Sequence, residues 1–149
     1  MNEDELNEYG WLAQKWLVRA ERDYKSAYFH VHGTDSPEIY ETSCFLCQQT
    51  AEKALKAVII YLGIPGGLPR SHDIRFLLNH IHGTLKSKKN IDIPAEFISS
   101  ATILSDYAVD SRYPDDTSKE DIFITRGEAL KALGYAESIL GWVKNIINE

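Results

Sequence analysis

The chain has 149 residues, 44% of them hydrophobic and 26% charged, the balance of an ordinary globular protein. Sixteen Lys and Arg against 22 Asp and Glu leave a formal charge of -6, which argues against bulk, sequence-blind coating of nucleic acid. The acidic start MNEDELNEYG is not a signal or transit peptide, and no apolar run approaches the ~20 residues of a membrane span.

The periodicity is helical almost throughout. From about Trp11 to His32, Ala13, Trp16, Leu17, Ala20, Tyr24, Ala27, Tyr28 and Val31 fall on one face, with Lys15, Arg19 and Arg22 outside it. Gly33 stops this helix. Ser36-Pro37 then supplies a cap followed by proline at the first helical position.

A second helix is predicted over Pro37–Leu62, ended by Gly63-Ile64-Pro65-Gly66-Gly67. Its main stripe is Cys44, Cys47, Gln48, Ala51, Leu55, Val58 and Leu62. Further apolar residues spread around most of the circumference, as on the central helix of a bundle.

Ser71 is the expected cap of a third helix, Asp73 to about His82, with Ile74, Leu77, Leu78 and Ile81 inward. The lysine-rich stretch from Gly83 to Asp92 reads as a loop. A fourth helix begins at Pro94 and carries Phe97, Ile98, Ala101, Leu104 and Ala108. Thr117 and Glu120 form a capping box for a last helix reaching about Ile147. The predicted class is all-α: an antiparallel up-and-down bundle of about five helices, in one domain over residues 1–149 with its core over about 11–147.

Charge is unevenly spread. Residues 50–90 hold seven basic side chains against two acidic ones, whereas residues 1–49 hold four against nine. Where the basic middle begins, Gln49, Glu52, Lys53 and Lys56 cluster within about 100° of the second helix. Such a strip is either a solvated face or a polar groove for a ligand or second subunit. Gln48 sits at the edge of the apolar stripe, where a buried amide must find partners such as loop backbone.

Cys44 and Cys47 form a C-x-x-C inside a helix. With no second ligand pair and no preceding strand, core packing is preferred to zinc binding or redox chemistry. No metal and no cofactor are expected, and two cysteines point to a reducing, cytoplasmic setting.

His72-Asp73 opens the third helix as a cap or as a contact to ligand. Arg75 with His80 or His82 is the one Arg/His spacing suited to metal-independent RNA cleavage, the imidazole taking the 2′-OH proton and the guanidinium stabilising the phosphate. On a straight helix Arg75 and His80 lie about 140° apart, whereas Arg75 and His82 are only about 20° apart but two turns distant. Arg112-Tyr113-Pro114 sets a guanidinium beside a ring in an extended turn. There it either holds a phosphate or carboxylate bidentately or pairs with Asp106, Asp110 or Asp115.

Taken together, Gln48-Gln49-x-x-Glu52-Lys53-x-x-Lys56-Ala57, His72-Asp73 and Tyr107-x4-Arg112-Tyr113-Pro114 resemble the HEPN domain family. Ala20, Asp23 and Ala27 match its opening helix. The resemblance implies a helical bundle that is usually a homodimer. Members similar to this chain are commonly encoded beside a minimal nucleotidyltransferase, in toxin-antitoxin-like pairs, and nucleotide binding has been proposed for them.

Other branches are metal-independent endoribonucleases whose Arg/His motif lies late in the chain and meets its symmetry mate across the dimer. Here no histidine follows Arg112 or Arg126. The preferred reading is therefore a nucleotide- or RNA-binding and interaction module without a membrane segment. Its contacts would be Gln49, Glu52, Lys53, Lys56, His72, Arg112 and Tyr113. The alternative is a ribonuclease toxin using Arg75 with His80 or His82.

Overall fold

A computed structural model describes the backbone of residues 3–108 and 124–148, with side chains from Tyr9 onward except at residue 37. Among these residues the protein is all-α, an antiparallel bundle of five helices: α1 (Glu3–His32), α2 (Pro37–Leu62), α3 (Ile74–Lys89), α4 (Glu96–Asp106) and α5 (Arg126–Ile147). The predicted capping box at Thr117 and Glu120, together with Arg112 and Tyr113, lies outside the described residues.

α2 is the axis of the bundle and touches all four other helices. Its unbroken run Ala54 to Ile60 is buried, so even the positions around Lys56 face protein rather than water. Burial on every side explains why its apolar residues do not keep to one stripe. Both ends match the sequence prediction. Ser36 has the extended backbone of a cap, although its hydroxyl donates to the Glu38 carboxylate rather than accepting from helix N–H groups.

At the other end Gly63 adopts the left-handed conformation (φ 63°), and Gly63 and Ile64 N–H bond back to the Ile60 and Ile59 carbonyls. That paired return is a Schellman cap, which favours glycine because a left-handed φ strains a Cβ-bearing residue. Lys88 of α3 adds a cation there, its Nζ 2.7 Å from the Leu62 carbonyl.

α3 departs from the prediction at both ends. Asp73, not Ser71, is the cap: its carboxylate accepts from the Arg75 and Phe76 N–H groups, while Ser71 Oγ accepts from Asp73 N–H. Downstream, the stretch assigned to a loop continues as helix to Lys89. Leu85 supplies the reason, because it extends the stripe Ile74, Leu77, Leu78 and Ile81 by one turn and is fully buried. Lys86, Lys88 and Lys89 then fall in the last turn, where cations suit the macrodipole, and Asn90 closes the helix at a left-handed φ of 54°.

α5 also starts later than predicted. Ile124 and Thr125 are not helical, and Thr125 caps Arg126–Ile147 by accepting from Glu128 N–H. Along its inner face Ala129, Leu133, Ala136, Leu140, Val143 and Ile147 are all buried. Tyr28 and Ile98, read as inward, are exposed; each lies off the centre of its stripe. Cys44 and Cys47 are buried core residues, and burial pushes the Cys44 thiol up to about 12. Cys47 is raised for the same reason.

Truncating Leu85 separates a packed final turn from a loop. Leu85→Ala is expected to cost about 2–5 kcal/mol in urea unfolding. A change near zero would return residues 83–89 to a loop.

Candidate functional site

The polar strip of α2 turns inward and is organised by one carboxylate. Glu52 is only 4% exposed, and a buried charge of this kind must be met by hydrogen bonds and opposite charge. Three side chains meet it. Gln48 Nε2 donates to Oε1 at 3.1 Å, His72 Nδ1 lies 2.8 Å from the same oxygen, and Lys56 Nζ donates to Oε2 at 3.2 Å. Gln48 and Lys56 come from α2 itself, one turn to either side of Glu52, whereas His72 arrives from the segment preceding α3.

Gln48 is fully buried, and its amide bonds are accounted for. Besides Glu52, its Nε2 donates to the His72 carbonyl at 2.9 Å, and its Oε1 accepts from Gln49 Nε2 at 2.7 Å. His72 is thus held at two points, by its carbonyl through Gln48 and by its ring through Glu52. Asp73 anchors the next residue, and Ser105 of α4 ties that anchor to the bundle, accepting from Ile74 N–H and donating to the Asp73 carboxylate.

Burial pushes the Glu52 carboxyl up, but the hydrogen bonds from Gln48 and His72 and the charge of Lys56 outweigh it. The net result is a carboxyl held below its ordinary value of 4.5. Lys56 is buried as well, its Nζ 5.9 Å from the centre of the Trp16 ring of α1.

An ionised carboxylate only accepts, so Nδ1 of His72 must carry the proton between them. The imidazole side chain is otherwise 67% exposed. Its Nε2 edge can accept a hydrogen bond from a neutral donor or, when the ring is protonated, donate one to an anion.

Of the residues picked out in the sequence, Gln49, Glu52, Lys56 and His72 therefore form one network. Glu52 and Lys56 satisfy each other at its centre and position His72 rather than presenting themselves at the surface. Lys53 joins a different contact, a 2.6 Å ion pair with Asp23 that ties α2 to α1.

Arg75, His80 and His82 all lie on the continuous helix α3. Arg75 and His82 are exposed, two turns apart, while His80 is half-buried and stacked on Phe76 with ring centroids 5.9 Å apart. Ser105 and Trp16 were not legible as parts of the site. Serine within a helix and tryptophan on an apolar stripe carry no signal of the partner that the fold brings to them. Among the described residues no group of three or more His, Cys, Asp or Glu side chains is placed to hold a metal ion, and no helix is long and apolar enough to cross a membrane.

Fold and site together define a small helical bundle that displays a surface imidazole set by a buried carboxylate on its central helix. The family model described as "HEPN domain" matches residues 13–146, and the chain belongs to that family. Among solved structures it is similar to TT1696 from Thermus thermophilus, at 29% identity over 89% of this chain and 96% of that one, with a TM-score of 0.71. It is also similar to ST0689, described as an archaeal HEPN homologue, at 33% identity over 91% of this chain and 97% of that one, with a TM-score of 0.68. A comparison with curated proteins finds no match.

The lowered Glu52 carboxyl makes a signed prediction. A group depressed on folding contributes stability that is present above 4.5 and lost as pH falls through its folded-state value. In urea unfolding at a series of pH values, the wild-type protein should lose more stability below pH 4.5 than Glu52→Gln does. Parallel curves would remove Glu52 from the acid dependence.

Proposed function

We propose that this protein is a nucleotide- or RNA-binding and interaction module that works with a separate nucleotidyltransferase, as one half of a toxin-antitoxin-like pair. A single HEPN domain over residues 1–149 would carry the binding surface, and the module would act as a homodimer in the cytoplasm. The observation that carries the binding reading is the exposed His72 ring, held by Nδ1 against buried Glu52. An imidazole fixed in this way presents Nε2 to a ribose hydroxyl or, protonated, to a phosphate oxygen without first ordering a free side chain.

Glu52, Lys56 and Gln49 support this surface from behind. Lys53 braces α2 against α1. Arg112 and Tyr113 enter on their sequence alone, as a guanidinium for phosphate and a ring for a base. The ribonuclease alternative rests on Arg75 with His82 or His80. The first two are exposed but separated by roughly 10 Å along the helix, which asks a symmetry mate to complete a site.

One experiment separates the two readings. With fluorescent ATP, GTP and oligoribonucleotides as probes and no metal present, His72→Ala should weaken binding about tenfold or more while the helical circular-dichroism signal stays intact. The RNA should remain uncut. Binding unchanged by His72→Ala would defeat the proposed surface. Cleavage abolished by His80→Ala or His82→Ala would establish the ribonuclease instead.

A further inference from the structure

The outer face of α1 carries large apolar and basic residues at a regular spacing. Trp11, Val18 and Phe29 are large apolar residues left 65%, 44% and 75% exposed. Lys15, Arg22 and Lys25 are exposed between them. The six positions advance by alternating steps of four and three residues. All fall within about 40° of the Trp11 direction, opposite the buried line of Ala13, Leu17, Ala20, Ala27 and Val31. A four-three alternation is the spacing of a coiled-coil seam.

Charge defines what this seam fits. The acidic residues in the same part of α1 are turned toward neighbouring helices: Glu21 pairs with Lys144 of α5 at 3.1 Å, and Asp23 pairs with Lys53 of α2 at 2.6 Å. Arg22 and Lys25 have no ion-pair partner among the described residues, and Lys15 Nζ stands 5.0 Å over the Trp11 ring. Between Trp11 and Phe29 this line thus runs roughly 27 Å, about five turns, with three cations and no acid on it.

We propose that this α1 seam docks an acidic amphipathic helix of a different protein, packed along Trp11, Val18 and Phe29 with its carboxylates facing Lys15, Arg22 and Lys25. A second copy fits poorly in either register that sets ring against ring. In parallel register each cation meets itself, and with Trp11 opposite Phe29 in antiparallel register Lys15 meets Lys25. Single-stranded nucleic acid fits less well than a helix. A stacking track needs rings at successive bases, whereas these two rings stand at opposite ends with Val18 between them. The proposal is independent of ligand binding at His72.

The test uses the full chain and a labelled three-heptad peptide with leucine on one seam position and glutamate on the other and on the flanks. A lysine-for-glutamate peptide and an oligouridine serve as comparisons, read by anisotropy and tryptophan fluorescence. The acidic peptide should bind and the lysine peptide should not. Trp11→Ala/Phe29→Ala and Arg22→Glu/Lys25→Glu should each weaken binding about tenfold or more, with the helical signal unchanged.

No binding of the acidic peptide up to ~100 μM, or binding indifferent to these substitutions, overturns the proposal. Preference for oligouridine overturns it in favour of nucleic acid. Self-association in sedimentation that the same substitutions abolish overturns it in favour of a second copy.

Discussion

One buried negative charge sets the terms for the polar half of this bundle. The Glu52 carboxylate sits on a helix surrounded by protein, where an unmatched charge would be prohibitive, so three donors must converge on it. Two are supplied by α2 a turn away on either side. The third is the His72 ring, and its recruitment places the segment before α3. Once His72 is held at ring and carbonyl, Asp73 follows as the α3 cap, and Ser105 of α4 locks that cap. The same contact that neutralises the interior therefore fixes the direction of an exposed imidazole.

Most of the fold was legible because packing geometry and periodicity agree. α2 runs over the predicted Pro37–Leu62, with proline at its start and a left-handed glycine after its end. Each misreading has its own physical cause. In α3, lysines mask a helical turn whose evidence is one leucine, and Leu85 counts only once a neighbouring helix is there to bury it. In α5, the last helix begins where Thr125 and Glu128 repeat the capping spacing also found at Thr117 and Glu120. Two such signals in series cannot be ranked without knowing which backbone turns.

The candidate site was legible as residues but not as an arrangement. Gln49, Glu52, Lys53 and Lys56 share a sector of the wheel, which on most helices means a solvated face. Here α1 and the segment before α3 cover it. Trp16 lies beside Lys56, Asp23 takes Lys53, and His72 closes over Glu52. Gln48 was the informative residue, since an amide at the edge of an apolar stripe demands a loop carbonyl, and the His72 carbonyl is what it finds. Membership of the HEPN family accounts for the bundle. The inward turn of the strip shifts the functional emphasis from the α2 charges to the one ring they orient.

The state of the His72 ring tests this account most directly. Long-range proton–nitrogen NMR of the imidazole, recorded where the ring is neutral, reads which nitrogen carries the proton. The Glu52 contact predicts the Nδ1–H tautomer in the wild-type protein and loss of that bias in Glu52→Gln. An Nε2–H ring, or a tautomer unchanged by the substitution, would contradict the claim that the buried carboxylate sets the exposed site.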